Sequence, residues 1–262
     1  MTDSFYQQAG VILQLLHRDF YIFKRNFLHR LRMALYWVVI SVAIARMFLP
    51  SMGLDNFAPF ILISSAVSYG LFIVMQNAMS LVEDITENHA IAYELTLPVA
   101  QWLIFLKIMI SNALQSFVIS LSIVPCGLLL LMNSHAFPDF SWWKFILIFI
   151  CASIFYGAFS LILAISLKDM SQVDNVWLRI LFPIWYLGCF QFPWSVLYKV
   201  SPALAYLDLC NPMTYILEGG RSATINSAGS LPFIPCCAMI LFFAAICSII
   251  GIHFMKKRLN CI

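Results

Sequence analysis

The sequence predicts an all-α membrane protein with six transmembrane helices. Three observations carry that expectation. The first is composition: of 262 residues, 62% are hydrophobic and only 10% charged, against roughly 25% charged in soluble domains. A soluble fold of this length has no way to hide that much apolar surface, so lipid is the expected solvent. The second is the recurrence of apolar runs long enough to cross a bilayer, which takes ~20 residues per helix. The third is the placement of Lys and Arg, which cluster between alternate runs as positive charge does on the cytoplasmic side.

The chain opens on Ser4–Asn26, where Ile12, Leu15, Leu16, Phe20 and Phe23 recur at helical spacing, with His17, Arg18, Lys24 and Arg25 between them. That pattern predicts an amphipathic helix in the interface plane, either a plain anchor or a strut that also touches a partner. Residues 1–30 are accordingly expected as a cytoplasmic interfacial helix, and 31–262 as a six-span transmembrane domain. No short apolar core follows the initiator as a secretory signal requires, so none is expected.

The spans are expected at about Leu31–Leu49, Phe57–Val82, Val99–Met132, Trp142–Leu167, Val176–Leu197 and Pro232–Met255. Pro183 and Pro193 interrupt the fifth. With the N-terminus inside, only Arg46, Lys144, Lys199 and Arg221 among the fifteen Lys and Arg fall outside. Both termini are therefore expected in the cytoplasm. Arg46 and Lys107 lie near span ends, where a long side chain can reach the head groups.

Two connections carry most of the information. Between the second and third spans, Glu83, Asp84, Glu87 and Glu94 make an acidic loop with Ile91, Leu95 and Leu97, closed by Pro98. It reads either as a solvated loop or as a short helix that a partner groove recognises. Between the fifth and sixth, Asp208–Arg221 reads D-L-C-N-P-M-T-Y-I-L-E-G-G-R. Asn211 is placed to cap a helix whose first residue is Pro212, and Glu218 and Arg221 are spaced to pair on one face. The Asn-Pro break is either a turn leading into the last span or part of a gate.

Familiar chemistry is missing from the sequence. No P-loop pattern G-x-x-x-x-G-K-[ST] occurs, nor H-E-x-x-H or G-x-S-x-G. The five His are scattered, and the eight Cys show no metal spacing and lie mostly in apolar runs, as packing residues do. No catalytic, cofactor-binding or metal-ligating residue is therefore assigned. The near absence of ionisable residues within spans also weighs against a proton-coupled carrier.

The chain resembles the type-2 ABC export permeases, six-span subunits that pair with a separate ATPase. Tyr93-Glu94-Leu95-Thr96-Leu97-Pro98-Val99 is similar to that family's E-L-L-x-x-P-V element. The stretch from Asp174 through Pro183 to Phe192-Pro193 is similar to its fifth-span proline pattern, although Gly188-Cys189 stands where a glycine pair is usual. Asn211-Pro212-Met213-Thr214-Tyr215 with Arg221 is similar to its N-P-x-x-Y…R signature. The resemblance implies a subunit of the bacterial inner membrane that exports a hydrophobic or amphipathic substrate (a drug, lipid or lipid-linked glycan). It implies two permease copies or paralogues over two ATPases, with membrane lipids around them and no nucleic acid. ATP and Mg would be held by the partner and no cofactor by this chain. Arg18, Glu83, Asp84, Glu87, Glu94 and Pro98 would receive the ATPase. Phe192, Pro193, Asn211, Pro212, Tyr215, Glu218 and Arg221 would form short re-entrant helices at a gate. Two other classes stay open from the residues alone: a non-transporting scaffold that binds a partner through residues 83–98, and an intramembrane enzyme, for which the loop acids lack partners.

Overall fold

The computed structural model describes residues 2–48, 50, 57–85, 90–97, 99–131, 137, 140–167, 169–225 and 230–259. Among them the only regular structure is helical. The α-helices are α1 (Thr2–Met47), α2 (Phe57–Glu83), α3 (Ala90–Thr96), α4 (Gln101–Leu131), α5 (Trp142–Ser166), α6 (Val173–Val176), α7 (Phe182–Leu187), α8 (Trp194–Val200), α9 (Pro202–Asp208), α10 (Pro212–Thr224) and α11 (Phe233–Leu259). Five of these, α1, α2, α4, α5 and α11, are long and apolar enough to cross a membrane. This is a helical membrane protein.

The bundle has a centre and a rim. In the apolar stretches of α2 and α5, 78% and 72% of residues are buried, against 17% in α1 and 22% in α11. A helix apolar all round is either buried by protein or faces lipid, and here α2 and α5 are the buried pair while α1, α4 and α11 form the outer layer. Small residues bring the central helices close. A Cβ on Gly157 of α5 would stand 2.3 Å from the carbonyl oxygen of Met109 on α4, so only glycine permits that approach. Gly70 of α2 likewise makes room for the ring of Tyr156, whose hydroxyl donates to the Val67 carbonyl at 2.9 Å.

Two elements differ from expectation. The amphipathic stretch and the first span are one continuous helix, α1, with no break near residue 30. No proline or glycine falls between Gly10 and Pro50, so nothing in the backbone chemistry stops the helix.

The predicted fifth span, Val176–Leu197, is instead a run of short pieces. Residues 173–187 form α6, a π-helical turn at Trp177–Leu181 and α7, about 22 Å in all at about 1.5 Å per residue, less than the ~30 Å of a bilayer core. The widened π turn immediately precedes Pro183 and accommodates its missing amide donor. The chain then turns at Gly188 and Cys189 and restarts as α8. The other predicted spans match α2, α4, α5 and α11 to within a few residues.

Candidate functional site

Two polar clusters interrupt the apolar bundle, one at each end. The first is built on α10. Asn211 caps this helix, its Oδ1 accepting from the Met213 amide at 3.0 Å, with Pro212 in the first turn. The Asn211 side-chain amide also donates to the Ile184 carbonyl at 2.8 Å, which fastens α7 to the start of α10. Thr214 Oγ1 donates to the Asp208 carbonyl at 3.0 Å, and Tyr215 donates to the Leu209 carbonyl at 2.9 Å. Asn211, Thr214 and Tyr215 thereby each spend their side-chain polar groups on backbone of this turn and of α7. Burial pushes the Asp208 carboxyl above its ordinary range, while hydrogen bonds from Cys189, Thr214 and Asn211 act in the opposite direction.

One turn further, Glu218 and Arg221 pair at 2.8 Å with no exposed surface on either side chain. Every nitrogen of the guanidinium has an oxygen partner. Nη2 donates to Ser64 Oγ at 2.9 Å and to the Cys189 and Phe190 carbonyls, Nε to Ser64 Oγ, and Nη1 to the Phe192 carbonyl. The Phe60 ring lies 3.8 Å from the guanidinium carbon, a cation–π contact. Glu218 in turn accepts from the Trp194 amide at 3.0 Å and the Leu231 amide at 3.4 Å. Pro193 is the residue that caps α8, so Glu218 satisfies an amide of that helix's first turn. Gly219 and Gly220 let α10 lie between α5 and α2, where added Cβ atoms would meet Ile148 at 2.6 Å and Val67 at 2.9 Å.

The turn that feeds this cluster is strained. Among the described residues, Cys189 is the one non-glycine with positive φ, at 65°, a conformation that costs an L-residue roughly 1–2 kcal/mol. The Cys189 and Phe190 carbonyls both meet Arg221, and the Cys189 thiol donates to Asp208 Oδ2 at 3.0 Å. Cys189 is thereby held in its left-handed turn by these bonds.

The second cluster joins α1, α3 and α4. Lys107 Nζ lies 2.8 Å from Asp19 and 3.0 Å from Glu94, and Arg18 pairs with both acids. Two expectations change here. Lys107 does not reach for head groups; it is buried between two carboxylates. Glu94 does not face outward from an acidic loop; it is buried and neutralised by Lys107 and Arg18. In both cases ion pairing against a third helix offsets the desolvation that the isolated loop or span would not tolerate. Asp84 Oδ2 accepts from the Ile91 amide at 2.7 Å at the start of α3. Glu83 is exposed. Glu87 and Pro98 lie outside the described residues.

Beside this cluster runs a set of uncharged polar groups that the sequence reading passed over. Asn77 of α2 donates to Asn112 and Gln115 of α4 at 3.0 and 3.1 Å. Asn112 donates to Ser160 of α5 at 2.8 Å, and Arg30 of α1 donates to Gln115 at 2.6 Å. The signal was present: Lys107, Ser111 and Gln115 recur every fourth residue, one stripe on one helical face. A survey confined to charged residues misses it. Together the two sets line a cavity of about 350 Å³.

The first cluster can hold a chain reversal in place, and the second can receive a polar ligand. Among the described residues no group of His, Cys, Asp and Glu is arranged to hold a metal ion. Compared with models of known protein families and with curated proteins, the chain matches none.

Proposed function

We propose that this chain is the membrane subunit of an ATP-binding-cassette exporter, which moves a hydrophobic or amphipathic substrate outward with energy from a separate ATPase. The observation that carries the reading is the Glu218–Arg221 cluster. It ties the end of the interrupted fifth segment, the start of α8 and the body of α10 together inside the bundle. On this reading 173–187 rises part way through the bilayer, and α8, α9 and α10 are re-entrant helices entering from the outer face. Non-helical backbone at membrane depth needs cover from protein or a water-filled cavity, and Arg221 supplies that cover here through three carbonyls. The gate residues are then Phe192, Pro193, Asn211, Pro212, Tyr215, Glu218 and Arg221.

The opposite end is the proposed ATPase-docking face, with α3 and the first half of α1 presented to the partner. Both termini then lie in the cytoplasm of a bacterial cell, a second permease copy or paralogue completes the pathway, and ATP with Mg is bound by the partner. Because Glu94 is buried, its contribution to docking is to hold α3 on α4, and surface contact falls to groups such as Glu83 and Arg18.

The test is purification of the chain with its neighbouring gene products and assay of ATP hydrolysis. The expected result is a co-purifying ATPase whose activity depends on this chain, with co-purification reduced by Glu83→Lys. A folded chain that carries no ATPase overturns the exporter reading and favours a scaffold.

A further inference from the structure

The cavity between α1, α2, α3 and α4 has the chemistry of a binding site rather than a packing defect. Its uncharged wall is made of Asn77, Asn112 and Gln115. Empty voids in proteins are apolar, whereas a polar lining of this size is a place for polar guests. Arg30 stands on the same wall. It is half-buried, gives one hydrogen bond to Gln115 and lies 5.9 Å from the Phe23 ring. Among the described residues it forms no salt bridge, unlike Arg18 and Lys107, which Asp19 and Glu94 neutralise. A guanidinium presents several donors in a planar fork that suits phosphate oxygens.

Depth points the same way. From Arg30 to the end of α1 at Met47 the helix rises roughly 26 Å, close to the ~30 Å of a hydrocarbon core. With the apolar part of α1 in the bilayer, Arg30 sits at the level of lipid phosphates. On α1 the cavity is lined by residues from Arg18 to Arg30, so Arg30 stands at its bilayer edge.

We propose that this cavity binds the head group of one phospholipid, with its phosphate on Arg30 and its acyl chains in the bilayer beside the part of α1 that follows Arg30. The carboxylates of Asp19, Asp84 and Glu94 also line the cavity. They balance Arg18, Arg30 and Lys107 of the same lining, so no net positive charge is left for a doubly charged phosphate monoester, and the singly charged phosphodiester of a lipid is the better guest. The inference uses only the membrane-spanning character of the chain and holds whether or not the chain exports anything.

The experiment is native mass spectrometry of the full chain, delipidated in detergent and then titrated with phosphatidylglycerol or phosphatidylethanolamine. One lipid is expected to stay bound per chain. Arg30→Gln weakens that binding about tenfold or more, and Arg30→Lys, which keeps the charge but not the fork, restores only part of it. Inorganic phosphate and glycerol 3-phosphate do not compete. Equal lipid retention by wild type and Arg30→Gln overturns the proposal, and so does displacement by glycerol 3-phosphate, which would assign the cavity to a soluble phosphate. Gln115→Leu, which removes the hydrogen-bond acceptor of Arg30 on the same wall, is a second probe and is expected to weaken retention. Retention as in wild type overturns the head-group placement even if the Arg30 variant fails to fold.

Discussion

The two polar clusters use the same ion-pair chemistry and differ in what surrounds it. Glu218 and Arg221 are three residues apart on one helix and sealed from solvent on all sides. Arg18, Asp19, Glu94 and Lys107 come from three helices and border an open cavity, with the Arg18 side chain 47% exposed. In the sealed cluster each charge has one charged partner; the remaining bonds of Arg221 go to backbone carbonyls and Ser64, and Glu218 accepts from the Trp194 and Leu231 amides. In the open cluster two cations and two carboxylates share charge. A sealed pair tolerates no loss of a partner, because the survivor stays desolvated. A shared, partly wet set redistributes. The first arrangement suits a fixed element and the second a surface that meets other molecules.

Breaking the sealed pair should have the largest effect. Arg221→Met leaves Glu218 charged and buried, at a cost of about 3–5 kcal/mol, read as a large fall in the thermal unfolding temperature in detergent. The double variant Glu218→Gln with Arg221→Met should recover part of that loss. Equal instability of the single and double variants would show that Arg221 matters for its carbonyl contacts and not for its charge partner.

The strained turn comes next. Cys189→Val places a β-branched residue at a φ of 65° and should cost roughly 2–3 kcal/mol. Cys189→Gly, which frees the backbone but loses the thiol bond to Asp208, should stay within about 1 kcal/mol of wild type. A Val variant as stable as the Gly variant would mean the turn relaxes easily.

Lys107→Met should cost less than Arg221→Met, roughly 1–3 kcal/mol, because Arg18 still faces both Asp19 and Glu94. A loss as large as that of Arg221→Met would erase the distinction between the clusters. Smallest of all is Arg18→Gln, at about 1 kcal/mol or less and reduced further by salt, measured as unfolding at low and high ionic strength. A large effect that persists in high salt would make the open cluster as sealed as the Glu218–Arg221 pair.

Four of the long helices, α2, α4, α5 and α11, were legible from the apolar runs: the starts expected at Phe57, Trp142 and Pro232 fall within one residue of those of α2, α5 and α11. The N-cap at Asn211 and the pair at Glu218 and Arg221 were legible because capping and i,i+3 pairing are local. The fate of Glu94 was not. Its neighbours in sequence are exposed or half-buried, and its two cations come from residues 18 and 107. The same holds for Arg221, whose partners Ser64 and Cys189 lie on other elements.

By itself, then, the sequence determined the solvent, the helices and their caps, since these depend on composition, periodicity and contacts within a turn or two of chain. Tertiary structure alone decided which charges are buried, that the fifth segment stops at Leu187, and that Arg30 and the amides of α2 and α4 meet around one cavity. Burying a charge is costly until a partner from a distant element arrives, so the position of each ionisable group is a property of the packed bundle.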